Sequence, residues 1–143
     1  MQAHAQKIAT VVMCIDYRFW PHVLPMLEKQ YGDFDLIEVA GAAKGLASPK
    51  TSSERIVLLS NIKTSIMLHH TTSIILINHQ DCGAYGGSKS FVSLGEEMRF
   101  HQRELGRARD YIRKHFPGHK VETIFISRDN KGTISLIPIT NYE

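Results

Sequence analysis

The chain has 143 residues, a net charge of +3, 43% hydrophobic and 22% charged residues. That composition suits a single soluble domain over residues 1–143, and its mild positive charge is too weak to argue for nucleic acid. No apolar run approaches the ~20 residues that cross a bilayer, and the opening MQAHAQKIAT lacks a charged start leading into an apolar stretch, so a cytoplasmic chain with no membrane partner is expected.

The first structured stretch, KIATVVMCID, is rich in β-branched and apolar residues and predicts a strand over residues 7–14, buried on both faces. WPHVLPMLEKQYG follows as a helix: Pro21 suits its first turn, Pro25 is placed to kink it, and Gly32 suits its end. FDLIEVAG predicts a second strand ending at Gly41. Thr51 and Glu54 have capping-box spacing and open a helix over 51–70. Its apolar residues Ile56, Leu59, Ile62 and Ile66 recur at helical spacing, and Val57, Leu58 and Met67 widen the stripe, so this helix is expected to be well buried.

TSIILIN predicts a third strand. A glycine-rich loop then leads into an amphipathic helix over 92–115. Its apolar line is Leu94, Met98, Leu105, Ala108 and Ile112, and Arg99, Arg103, Arg107, Arg109 and Arg113 lie on its outer face. Pro117 and Gly118 end it. VETIFIS, the turn RDNKG and TISLIPI complete the chain as two paired strands, with Pro138 suited to a sheet edge.

Strands alternating with helices imply an α/β fold. The expected sheet is mostly parallel, in the order 2-1-3-4, with an antiparallel C-terminal edge strand and helices on both faces. Ligands of such sheets bind beyond the carboxyl ends of the strands, where the winding reverses. The first strand ends at Cys14, and His79 and Cys82 follow the third. The topology therefore carries two thiols and one imidazole to one crevice. Two cysteines make no disulfide framework. With His79 they make a three-ligand zinc set that leaves the fourth position free, the pattern of a catalytic zinc site, with Gly83 relaxing the turn. Zinc (Zn2+) held this way turns its water into a hydroxide nucleophile, and two thiolate ligands predict activity rising towards alkaline pH.

In CIDYR, extended backbone would place Cys14, Asp16 and Arg18 on one side. Arg18 can grip the Asp16 carboxylate with two prongs, and Asp16 can then orient the nucleophile. Released from Arg18, the same carboxylate could take zinc's open position. The plainer readings are buried thiols, a disulfide between Cys14 and Cys82, and an ordinary ion pair. Asp81 reads either as a further acceptor or as a turn residue. His69 and His70 suit a helix end, and His4, His22, His101, His115 and His119 receive no role. The loop GAYGGSKS narrowly misses the Walker phosphate-binding pattern, with Ser88 where glycine is required. The arginine-rich helix face suits solvent or a subunit contact better than RNA.

Cys14-x-Asp16-x-Arg18 together with His79-x-x-Cys82-Gly83 resembles the β-class carbonic anhydrases, in their short form. LIEVAGAAKG is similar to that family's second-strand segment, and the resemblance extends over residues 8–95. It implies a zinc enzyme that interconverts carbon dioxide and bicarbonate, a homodimer or larger homo-oligomer with active sites near the subunit interface. Gly41 and Gly83 would then border the substrate pocket. Glu38 and Val39 stand where the family usually has Arg-Asn, which bears on the substrate more than on the metal. Hydrolysis of carbonyl sulfide or carbon disulfide, or an inactive zinc-binding homologue, are the alternatives.

Overall fold

A computed structural model describes residues 7–143, so the reading of the first six residues, His4 included, lies outside the described part. In chain order the elements are β1 (Ala9–Met13), α1 (Trp20–Tyr31), β2 (Phe34–Glu38), α2 (Lys44–Ala47), α3 (Ser52–His69), β3 (Ser73–His79), α4 (Leu94–His115), β4 (Lys120–Arg128) and β5 (Ile134–Pro138). The strands form one sheet in the order β2-β1-β3-β4-β5. All neighbours are parallel except β4 and β5, which pair antiparallel from Ile124↔Pro138 to Arg128↔Ile134. This is the expected architecture, and Pro138, which has no amide hydrogen, sits on the edge strand.

Alternation along the strands divides the core between the two faces. Val11, Met13, Ile75, Ile77, Ile124 and Ile126 pack with Phe19, Val23 and Leu27 of the α1 side. Val12, Ile74, Leu76 and Phe125 face the other way, against Leu46 of α2, Leu58 and Ile62 of α3, and Leu105, Ala108 and Ile112 of α4. Each large aliphatic side chain covered in this way contributes ~1.5–3 kcal/mol. α1 runs unbroken through Pro25 and ends at Gly32, whose φ of 76° suits a residue without Cβ.

Several boundaries differ from expectation. β1 stops at Met13 and β2 at Glu38, short of Cys14 and Gly41, while His79 is the last residue of β3 itself. The segment after Gly41 contains a four-residue helix, α2, too short to carry a periodic signal. α4 begins at Leu94, where the Ser93 side chain accepts from the Glu96 amide. Its outer face is not uniformly solvated, because the Arg109 guanidinium lies 4.0 Å from the Tyr142 ring centroid.

The largest departure is α3. Thr51 caps it as expected, yet only Leu58, Ile62 and Ser65 are buried. Ile56, Val57, Met67 and Leu68 are 64%, 57%, 65% and 67% exposed. The helix buries one narrow stripe and exposes an apolar pair near each end, with Ser60, Asn61, Lys63 and Thr64 exposed between them.

Candidate functional site

β1 and β3 are parallel neighbours in register Val12↔Leu76, so their carboxyl ends emerge side by side. Cys14 lies one residue past β1, His79 closes β3, and Cys82 follows the two-residue turn Gln80-Asp81. One donor atom from each of these buried side chains falls within 4.8 Å of the others. Neither cysteine is in a disulfide. His79 Nδ1–H donates to the Gln80 carbonyl at 2.7 Å, and its ring packs on Phe19 with centroids 4.4 Å apart. That fixes the tautomer and leaves Nε2 as a lone pair. This atom is buried with no hydrogen-bond partner among the described residues.

The thiols are electrostatically unequal. A hydrogen bond from Cys82 pulls the Cys14 thiol well below its ordinary range against the cost of burial, helped by His79 and the Gly41 amide. Cys82 is pushed up by sharing with Cys14 and by burial, while the amides of Ala84 and Tyr85 favour its thiolate. Two soft sulfurs supported by backbone N–H groups, with an orphaned imidazole nitrogen beside them, fit a thiophilic divalent ion such as zinc.

Asp16 stands next to this set, its Oδ2 3.8 Å from His79 Nε2. Arg18 holds it, though not through strand alternation. The chain turns at once, with the Phe19 amide donating to the Asp16 carbonyl and the Arg18 amide to Asp16 Oδ1. From that turn Arg18 Nε and Nη2 reach both carboxylate oxygens at 2.7–3.2 Å. The guanidinium keeps the Asp16 carboxyl below the usual carboxylate range.

Arg18 also grips Asp81, with Nη1 donating to Oδ2 at 2.8 Å and Nη2 to the carbonyl at 2.9 Å. Asp81 lies in the turn between His79 and Cys82 and has a φ of 59°, which L residues adopt at a cost. The turn's strain therefore falls on Asp81. Gly83, expected to relax it, has an ordinary φ and open space where a Cβ would stand. Asp81 Oδ1 accepts from the Ser88 amide at 2.7 Å, so the glycine-rich loop spends that amide on a carboxylate of its own chain. The Asp81 amide donates to Glu97 Oε2 at 2.8 Å, and the Ser88 hydroxyl to both Glu97 oxygens.

Two clefts open beside the site. One, of about 540 Å³, is lined by Asp16, Arg18, Asp81, Gly83, Gly87 and Lys89. The other, of about 480 Å³, includes Val39, Ala40, Lys44, Val57 and Ala84 in its lining. Gly41, between Ala40 and α2, has φ 80°, and a Cβ there would stand 2.9 Å from that of Ala84. Glu38 is raised above the usual carboxylate range by burial and by the Cys14 charge, which places an acid near the sulfurs.

Among the residues given no role by sequence, His101 is fully buried. His69 pairs with Asp35 through Nδ1 at 2.8 Å. Asp81 is both the acceptor and the turn residue that the sequence offered as alternatives, while Glu97 and His101 are the connections that sequence reading missed. Glu97, His101 and Glu104 share the helical spacing of the apolar line of α4, and polar residues at core positions were the available signal.

Known proteins share this fold. A family profile described as "Putative carbonic anhydrase" matches residues 4–137. Uncharacterised proteins of Rickettsia conorii and Rickettsia bellii are each 29% identical over 125 residues, spanning 83% of this chain and 67% and 76% of theirs. Among solved structures, a carbonic anhydrase from Glaciozyma antarctica superposes with TM-score 0.62 at 19% identity, covering 95% of this chain and 83% of that one. A tetrameric β-carbonic anhydrase from Sordaria macrospora gives 0.59 at 16% identity, covering 94% and 81%. Family profile and fold agree, and this chain belongs to the carbonic anhydrase family of β-class architecture.

Proposed function

We propose that the protein is a zinc-dependent carbonic anhydrase that interconverts carbon dioxide and bicarbonate, with Cys14, His79 and Cys82 as ligands. The observation that carries this reading is the buried Cys-His-Cys triangle with Asp16 Oδ2 3.8 Å from the unpartnered His79 nitrogen. Zinc seated there would supply Lewis acidity at an open position and ready a water for attack on a small electrophile.

The chain's own groups do the rest. Asp16, held ionised by Arg18, is an acceptor and can take a hydrogen bond from the nucleophile through the oxygen nearest His79. Arg18 occupies both Asp16 oxygens and so opposes rotation of the carboxylate towards the ligand set. Gly41 keeps the wall at Ala84 close, and Gly83 lines the cleft that Asp16 and Arg18 share.

We further place the protein in the cytoplasm, where its two unpaired thiols stay reduced. It would act there as a homodimer or larger assembly, a reading supported by the tetrameric relative and by the exposed apolar pairs Ile56–Val57 and Met67–Leu68 of α3. No helix among the described residues is long and apolar enough to cross a membrane.

The test is carbon dioxide hydration measured over about pH 7 to 9 with zinc quantified in the same samples. One zinc per chain with hydration that rises towards alkaline pH is expected. Stoichiometric zinc without hydration would overturn the assignment. Uptake of carbonyl sulfide or carbon disulfide would then identify a hydrolase, and its absence a zinc-binding homologue without catalysis.

A further inference from the structure

Glu97 is 1% exposed, sixteen residues along the chain from the turn it touches, and no part of the ligand set. Its carboxylate accepts the Asp81 amide and the Ser88 hydroxyl, at 2.8 Å for the shortest contact to each. A buried carboxylate with charge-assisted bonds to both ends of one loop is a rigid fixture, because each partner would be left unsatisfied without it. The loop it pins carries Asp81, held at φ 59°.

From Asp81 the connection runs outward. Ser88 N–H on Oδ1 orients the Asp81 carboxylate, and Oδ2 with the main-chain carbonyl receives two N–H groups of Arg18. The remaining edge of the guanidinium grips Asp16. A planar group held along two edges cannot pivot. A Cβ on Gly87 would stand 2.9 Å from Asp81 Oδ1, so the close approach of the loop is part of the same brace.

From this geometry we infer that Glu97 is the positioning residue that sets the aim of Asp16, acting through Asp81 and Arg18. This rests on the functional reading above only for what Asp16 is aimed at; the mechanical linkage stands on contacts within the chain. Loss of the Glu97 carboxylate frees the Asp81 turn, then the guanidinium, and lets the Asp16 carboxylate swing towards the ligand set.

The experiment compares wild type with Glu97→Gln and Ser88→Ala in the full chain. In metal-free protein, hydrogen exchange at Arg18 Nε is read by NMR. About tenfold faster exchange is expected for Glu97→Gln and a smaller acceleration for Ser88→Ala. In cobalt(II)-loaded protein, visible absorption is titrated with azide. Unchanged cobalt stoichiometry with about tenfold weaker azide response is expected for Glu97→Gln, because a loosened Asp16 competes for the open position. A merely structural role would not move that anion competition.

Wild-type exchange and wild-type azide response in folded Glu97→Gln overturn the inference. If that variant does not fold, unchanged exchange in Ser88→Ala does so. A wild-type protein that binds cobalt but hydrates no carbon dioxide defeats the functional reading alone, since Arg18 exchange is measured without metal.

Discussion

His101 Nδ1 lies 3.1 Å from Asn78 Nδ2, and that contact fixes which ring nitrogen carries the proton. Asn78 Oδ1 already accepts from the Ala43 amide, so its Nδ2 is the donor and His101 Nδ1 the acceptor. The proton is then on Nε2, which is buried without a partner among the described residues. Rings of Tyr85, Phe100 and Phe125 surround it at 4.8–5.5 Å. Asn78 is next to His79 in sequence, so this neutral imidazole ties β3 and the segment after Gly41 to α4.

A pH dependence follows. Burial, with a smaller contribution from His79, pushes His101 down to about 4. The unfolded chain binds the proton near 6.5, so the stabilisation is complete above that value and is lost as pH falls towards 4. The loss is on the order of 3 kcal/mol, taking about 1.4 kcal/mol per pH unit. Urea midpoints at about pH 7.5, 5.5 and 4.5 should fall steeply in wild type. In His101→Gln they should start lower and fall less. Parallel curves for the two proteins would show that His101 does not titrate in this way.

Gly41 and Gly83 were both expected at the pocket, and the structure separates them. Gly41 has φ 80° and would bring a new Cβ to 2.9 Å from Ala84, while Gly83 meets nothing within 4 Å. Gly41→Ala should therefore cost about 1–3 kcal/mol in denaturant unfolding and disturb the amide that supports Cys14. Gly83→Ala should change stability by less than about 0.5 kcal/mol. Equal losses from the two substitutions would contradict the backbone geometry.

On the proposed ligand set, metal binding couples to folding. A ligand present at about a thousandfold its dissociation constant adds roughly 4 kcal/mol. Chelation of the purified protein should lower its thermal midpoint, and zinc should restore it. Cys14→Ser, Cys82→Ser and His79→Ala should each lose both the bound zinc and the chelator-sensitive part of the shift. Full zinc occupancy in any of the three, measured by elemental analysis, would remove that residue from the ligand set.

The sheet order and the meeting of Cys14 with His79 were legible because strand-helix alternation and right-handed crossovers leave few ways to arrange parallel strands. The bracing of Arg18 was not. Asp81 looks like any turn aspartate, and its bond to Glu97 spans sixteen residues into the first turn of α4, where an acid is ordinary. The Asp16–Arg18 pairing was foreseen but attributed to alternation, whereas the chain makes it with a turn. Periodicity also finds apolar faces without saying what covers them, and α3 is where that matters most.

Ile56 and Val57 near the start of α3, and Met67 and Leu68 near its end, are apolar side chains that this chain leaves exposed, with Ser60, Asn61, Lys63 and Thr64 between the two pairs. Val57 also lines the cleft with Val39, Ala40 and Ala84, so the exposed pair at the start of α3 reaches the cleft beside the loop after Cys82. Side chains of this type are rarely left together in water, and a second copy of the chain is the proposed cover. Val57→Asp places a charge at the cleft end, and Met67→Asp places one near the far end of the helix. Each should shift the mass measured by light scattering towards the monomer, with weaker effects at lower protein concentration. A wild-type protein that is monomeric at about 100 μM, above the Kd range of most stable homodimers, would show that α3 is not a self-association face. A mass unchanged by either substitution would place the subunit contact elsewhere on the molecule.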